Sequence, residues 1–402
     1  MVDQSELPFR MLCRNFGAQL CFTPMLHSGM FLKDKNYRAK NFTTVPKDRP
    51  LIVQFCANDP VILLEAARLV EDRCDGVDIN LGCPQSIAKK GNYGAFLQDN
   101  WELIGELISI LHDNLKIPVT CKIRIFPEIT RTIEYALFLQ SKGVSILTVH
   151  GRTRDQKGVL TGSASWEHIL AVKQAVSIPV FANGNILCLD DVKNCLLLTK
   201  SDGVMSAEGL LYNPALFTDT TPCVYEVARG YLEMVVQYPV HTSAIRGHLF
   251  KIFHDVLQNY RFEKFRQQIG TASDFKCLMD IVGNIGVEMD NFGSKFVCRP
   301  YLHHATKNEP QKSVVSTENV CELVYKKSDG LSSKKDRKHF QENSNSNCKK
   351  SRLELYSFCS ECGCNPLSAK CDHKCCKKCC KQKCRNLLLI CSGHNFKSNN
   401  IQ

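Results

Sequence analysis

The sequence predicts an α/β protein: a (β/α)8 barrel followed by a small all-helical domain and a basic, cysteine-rich tail. Short apolar runs alternate with segments of helical periodicity, and polar residues recur at the carboxyl ends of those runs. After Pro214 the alternation stops and only helical spacing remains.

Seven runs read as strands: Gln19 to Thr23, Leu51 to Phe55, Gly76 to Asn80, Val119 to Ile125, Ser145 to His150, Pro179 to Asn183 and Asp202 to Ser206. Helical spacing fills most of the gaps, as in Pro60 to Arg73, Trp101 to His112, Arg131 to Lys142, Trp166 to Ala175 and Leu189 to Leu198. Such repeats build a parallel sheet covered by helices, either open or closed into a barrel. Gln54, Asn80, Lys122, His150 and Asn183 each lie at or near the end of a different strand, and a barrel collects its reactive groups on that one face. An open sheet gathers them at a single switch point. Met1 to Gly17 reads as the loop and helix that follow a strand, so the eighth strand is expected upstream of Met1. The barrel domain is placed at residues 1–220.

Residues 221–300 form the expected helical domain, from Val224 to Val236, His241 to Gln258 and Phe262 to Met279. Residues 301–355 are rich in Lys, Ser and Asn, with too few apolar side chains to offset ordering, and read as a flexible basic linker. A Cys/His-rich module follows at 356–396.

Charge and cysteine are skewed along the chain. Residues 1–304 hold 32 Lys+Arg against 31 Asp+Glu, while residues 305–402 hold 19 against 9, so nearly all of the net charge of +11 sits in the tail. That asymmetry suits a polyanionic partner. The tail also holds 12 of the 23 cysteines. The longest apolar runs, such as Leu387 to Cys391, are far shorter than the roughly 20 residues a bilayer-spanning helix needs, which argues against a membrane protein. Met1 to Arg14 has no apolar signal core. The expected compartment is the cytoplasm, the nucleus or both, where thiols stay reduced and serve metals or catalysis.

Asp78 to Pro84 places Cys83 just past a strand end, in a turn shaped by Gly82 and Pro84, with Asn80 before it and Lys89, Lys90 and Tyr93 after it. Most other cysteines in the body read as small buried apolar residues. Gln54 offers an amide for a ring edge, and Lys122 a cation for an electron-rich nitrogen. His150, followed by Arg152 and Arg154, adds a donor and two guanidinium groups. The turn Asn183-Gly184-Asn185 and the segment around Ala207 and Glu208 present backbone N–H groups suited to phosphate. Each of these alone is explained by a helix cap or a satisfied strand end. Five at consecutive strand ends fit a bound anionic, planar cofactor.

In the tail, Cys359-x-x-Cys362, Cys371, Cys375, Cys376, Cys379, Cys380 and Cys391-x-x-His394 carry spacings that suit tetrahedral Zn2+. There are more thiols than one ion needs, so ligand sets stay open. Six interleaved cations make the segment a phosphate-backbone binder as well.

The segments Met1 to Arg10, Asp78 to Pro84, Lys89 to Leu97, Thr148 to Arg154, Ala182 to Ile186 and Gly203 to Pro214 resemble those of the tRNA-dihydrouridine synthases, over about residues 1–300 and in order. The similarity is greatest to the eukaryotic branch acting on uridines 16 and 17 of the D-loop. The resemblance implies an FMN-bearing barrel, a helical domain that grips tRNA, and NADPH or NADH as reductant. By position it implies FMN contacts at Met1, Val2, Gln54, Lys122, His150, Asn183, Gly184, Asn185, Ala207 and Glu208, and a catalytic acid at Cys83. Asn80, Lys89, Lys90, Tyr93, Arg152 and Arg154 are the expected contacts to the nucleotide. Family members begin this motif with a strand and Ala-Pro before the Met, and the bacterial pattern has Gly-Arg where Ala207-Glu208 stands here. A monomer is expected. Two other readings stay open: a small-substrate flavin dehydrogenase of the dihydroorotate dehydrogenase type, and a catalytically inert, truncated barrel whose tail binds RNA.

Overall fold

The computed structural model describes residues 4–293 and 296–300, together with Cys371, Cys379, Cys380 and Lys383. Residues Met1–Ser313 form one compact unit and Val314–Gln402 a second. The expected linker, most proposed zinc ligands, and the FMN contacts at Met1 and Val2 fall outside the described residues.

In the first unit the strands are β1 (Cys21–Phe22), β2 (Leu26–His27), β3 (Leu51–Cys56), β4 (Gly76–Leu81), β5 (Val119–Arg124), β6 (Ile146–His150), β7 (Val180–Asn183) and β8 (Gly203–Met205). All pair in parallel, and β3 to β8 neighbour one another in sequence order. Each later strand lies beside the previous one through a covering helix, as a (β/α)8 barrel requires. Every residue of β3 and β4 is buried, which reflects a sheet covered on both faces.

The first expected strand is broken in two. Cys21 pairs with Leu51, an offset of 30, whereas Leu26 pairs with Phe55, an offset of 29, so one residue is looped out between them. Pro24 stands in that gap and has no N–H to give to the ladder. Thr23 takes over locally: its hydroxyl donates to the Pro24 carbonyl at 2.9 Å and accepts the Gln54 N–H at 3.0 Å.

The helices in and around the sheet are α1 (Leu7–Asn15), α2 (Ser28–Lys33), α3 (Lys35–Asn41), α4 (Pro60–Arg68), α5 (Ser86–Lys90), α6 (Trp101–Asn114), α7 (Ile129–Ser141), α8 (Trp166–Ala175), α9 (Leu189–Thr199) and α10 (Glu208–Tyr212). Asp59, Asn100 and Ser165 cap α4, α6 and α8 by accepting backbone N–H groups, which starts those helices where the sequence pattern puts them. The helical layer comprises α11 (Val224–Gln237), α12 (Thr242–Ile252), α13 (Glu263–Thr271) and α14 (Phe275–Phe292). The single helix expected from Phe262 to Met279 is two, because the Asp274 carboxylate caps Cys277 N–H at 2.9 Å and starts α14 afresh.

The helical layer joins the barrel through α1, which packs on α11. Glu6, at the N-terminal end of α1, accepts from the Tyr231 hydroxyl at 2.8 Å, and His248 Nε2 lies 2.9 Å from a Glu6 carboxylate oxygen. His248 is fully buried and stacks on Phe9 at 4.1 Å. Burial alone raises the Glu6 carboxyl, but the His248 charge, its hydrogen bond, a backbone N–H and the Tyr231 hydroxyl together outweigh it and hold the group at about 2. On the same helix, Arg10 and Arg14 both pair with the buried Asp48. Among the described residues no helix is long and apolar enough to cross a membrane.

Candidate active site

Period-two alternation along each strand sends one set of side chains toward the barrel axis, and the last such residues emerge at the carboxyl rim. There a chain of hydrogen bonds runs from the core to Cys83. Thr120 Oγ1 and Gln54 Nε2 donate to the two carboxylate oxygens of Asp78, at 2.7 and 2.9 Å. Asn80 Nδ2 donates to Gln54 Oε1 at 2.9 Å, and Asn80 Oδ1 accepts the backbone N–H groups of Gly82 at 3.1 Å and Cys83 at 2.9 Å. Each amide is thereby oriented by its neighbour. Burial pushes the Asp78 carboxyl up to about 6, against the pull of its bonds to Thr120 and Gln54.

Cys83 itself is buried, in a cluster with Cys56, Ala88 and Tyr93. Gly94 closes the loop at φ +64°; a Cβ there would meet the Cys83 carbonyl oxygen at 2.8 Å, so only glycine lets the two backbones come together. Tyr93, expected as a nucleotide contact, is buried against the cysteines, with its ring edge-on to His27 at 5.5 Å. Lys89 and Lys90 are exposed on α5, in the loop that follows Cys83.

On the other half of the rim, Lys122 Nζ donates to Asn183 Oδ1 at 2.8 Å, and Asn183 Nδ2 donates to the Met205 carbonyl at 2.8 Å. This ties β5, β7 and β8 together. Burial, then the nearby Arg124 charge, lower the Lys122 ammonium to about 8. His150 is depressed well below the usual imidazole value, by burial first and then by the charges of Lys122, Arg124 and Arg152. The turn after β7 has Gly184 at φ +108° and Asn185 at φ +60°. A Cβ on Gly184 would come within 2.7 Å of Ala164 Cβ and 2.9 Å of His150 Cδ2, so the turn can lie against the histidine only as glycine. Ala207 and the exposed Glu208 stand where β8 leads into α10, and β8 is the strand paired to β7.

Arg152 and Arg154, expected on the nucleotide, both engage the protein. Arg154 pairs with Asp99 at 2.7 Å, and Arg152 bonds to His150, Asn185 and the Gly162 carbonyl. Sequence reading missed Arg124. Its guanidinium donates to the Gly82 carbonyl at 2.8 Å and to the carbonyls of Thr153 and Gln156, at 2.8 and 3.1 Å, clamping the Cys83 loop to the loop after β6. Burial and then the Arg152 charge bring it down to about 10. The signal was present, because strand alternation puts residue 124 on the same face as Lys122.

These residues fit an anionic, planar cofactor. A cation, a neutral imidazole and a glycine turn converge on one rim, and Gln54 keeps one amide N–H and one carbonyl lone pair beyond those already bonded. Of the proposed zinc ligands, Cys371 and Cys380 are buried and Cys379 is partly exposed. Among the described residues no group of three or more His, Cys, Asp or Glu is set to hold a metal.

The dihydrouridine synthase (Dus) family model matches residues 1–283. The chain belongs to the dihydrouridine synthase family. This Dus chain is 46% identical over 389 residues to the tRNA-dihydrouridine(16/17) synthase NAD(P)(+)-like protein of Rattus norvegicus, covering 92% of this chain and 88% of that one. It is 46% identical over 299 residues to the tRNA-dihydrouridine(16/17) synthase of Schizosaccharomyces pombe, covering 70% and 75% respectively. Identity to the human tRNA-dihydrouridine(20a/20b) synthase-like protein is 36% over 290 residues, covering 70% and 89%. The chain is thus an enzyme of a tRNA-modifying oxidoreductase family.

Proposed function

We propose that this enzyme reduces uridine to 5,6-dihydrouridine in the D-loop of tRNA, at positions 16 and 17, with FMN as cofactor and NADPH or NADH as reductant. The observation that carries the reading is the hydrogen-bonded chain from Asp78 to Cys83, which holds one thiol beside a rim of cofactor-binding chemistry. The higher identity to the 16/17 relatives than to the 20a/20b relative supports the position.

Lys122, His150, Gln54 and the turn 183–185 would hold the flavin, which when bound supplies the hydride for uracil carbon 6. Cys83 Sγ–H gives its proton to carbon 5, acting as general acid. Asn80 fixes the backbone of Cys83, so the thiol is placed before the substrate arrives. The target base has to leave its stack to reach the rim, and Lys89 and Lys90 are free to meet the phosphates beside it. The cysteine usage suits the cytoplasm or nucleus. Zinc in the tail is part of the same reading, supported by the Cys-x-x-Cys and Cys-x-x-His spacings.

The test is made on the purified full chain. A flavin absorbance spectrum, its bleaching by NADPH without oxygen, and formation of dihydrouridine in unmodified tRNA are expected together. A folded sample with no flavin, or one whose flavin is reduced while tRNA stays unmodified, overturns the reading.

A further inference from the structure

Arg152 looks from the sequence like a contact to the nucleotide, yet its geometry points inward. Nε donates to the Gly162 carbonyl at 3.1 Å, Nη2 donates to Asn185 Oδ1 at 2.6 Å, and Nη1 lies 3.1 Å from His150 Nε2. A guanidinium has donors only. His150 Nε2 must therefore accept, and the ring's single proton sits on Nδ1. Gly184 is packed so tightly against the same ring edge that a Cβ would lie 3.3 Å from Nε2, which holds the imidazole in this orientation.

We propose that Arg152 is a positioning residue that locks His150 as the neutral Nδ1–H tautomer, so that the ring offers the cofactor a donor and never an acceptor. Asn185, through its bond to Nη2, fixes the guanidinium and ties the lock to the turn 183–185. The charged groups acting on His150 are Lys122 and Arg124 from β5 and Arg152 from its own loop, all cations, so protonation is opposed from each side. The identity of the acceptor as a flavin rests on the function proposed above. The tautomer is a property of the chain without any ligand.

The measurement is 13C and 15N NMR of the histidine rings in the flavin-free full-length protein, with His150→Gln identifying the signal. Wild type is expected to show the Nδ1–H form, neutral through the range near pH 6.5 in which a free imidazole titrates. In Arg152→Met the Nε2–H form should appear, the titration should move up toward that value, and FMN affinity should fall about tenfold. Arg152→Lys, which keeps a donor and a charge, should recover part of both. Wild-type His150 carrying its proton on Nε2, or an Arg152→Met protein with unchanged tautomer and titration, overturns the proposal. A wild-type protein that shows the Nδ1–H form yet binds no FMN leaves the lock standing and removes the flavin reading instead.

Discussion

Two buried polar clusters hold this molecule together, and they are finished differently. At the α1, α11 and α12 junction, the Glu6 carboxylate is ringed by Tyr231, His248 and a backbone N–H, with His248 stacked on Phe9. The Glu6 carboxylate thus spends its bonding capacity on the protein, while His248 Nδ1 is buried there with no hydrogen-bond partner among the described residues. At the barrel rim, Gln54 and His150 are held by neighbours on one side and keep bonding capacity on the other, the second amide N–H of Gln54 and Nδ1 of His150. The contrast separates groups that join layers from groups arranged to receive something. A carboxylate closed off inside the protein contributes to stability, and rim groups that keep donors and acceptors at the strand ends are preorganised for a ligand.

Cys83 sets the rim apart from the junction most sharply. Cys83→Ala removes the proton donor and no rim contact, so dihydrouridine formation should drop about 100- to 10,000-fold while FMN content and bleaching by NADPH stay near wild type. Turnover of tRNA and flavin absorbance, measured on the same sample, check this. Near-normal turnover would show the donor to be another group.

The junction should answer in stability and not in chemistry. Glu6 sits at about 2 in the fold against an ordinary 4.5, so its contribution is fully present above about pH 4.5 and is lost as pH falls through about 2. Glu6→Gln should cost about 3 kcal/mol at neutral pH and flatten that acid limb, with the turnover of the remaining folded protein unchanged. Urea melts at a series of pH values give the answer. An unchanged acid limb would place the carboxylate's partner elsewhere.

Lys122 links the rim to pH in the opposite sense. Its ammonium titrates near 8 in the ligand-free fold, and an anion prefers the charged form. FMN affinity should therefore weaken by up to about tenfold per pH unit above 8, and Lys122→Met should bind weakly with no such slope. Flavin fluorescence titrations at three pH values distinguish the two behaviours.

The smallest effect is expected from the tail. Removing residues 305–402 takes away most of the net positive charge, so tRNA affinity should fall modestly and its salt dependence flatten, with FMN binding and the modified position unchanged. Metal analysis of the full chain tests the zinc expectation independently.

The rim was legible in the sequence and the junction was not, for a physical reason. Gln54, Lys122, His150 and Asn183 each lie at or near the end of an apolar run, so a strand pattern alone delivers them to one face. Asp78 and Arg124 obey the same alternation, but their roles depend on partners across strands, 24 to 42 residues away. Glu6 resembles an ordinary acidic residue at a helix start, and its partners lie 225 and 242 residues later. Nothing local marks Tyr231 or His248 as different from core residues of an amphipathic helix. The break between α13 and α14 was hidden similarly, because apolar spacing continues through a cap that only Asp274 announces.

The looped-out residue at Pro24 works as a phase shifter. Side chains in a strand point alternately up and down, so the count between two paired positions decides which face everything beyond receives. With the offset kept at 30, Leu26 would stand opposite Cys56 instead of Phe55, and its side chain, now 1% exposed, would turn to the other face. His27 would turn with it, leaving both the Tyr93 ring and the Met30 N–H of α2. A length change of a single residue in this short stretch would therefore reach the buried cluster around Cys83 without substituting any of its members.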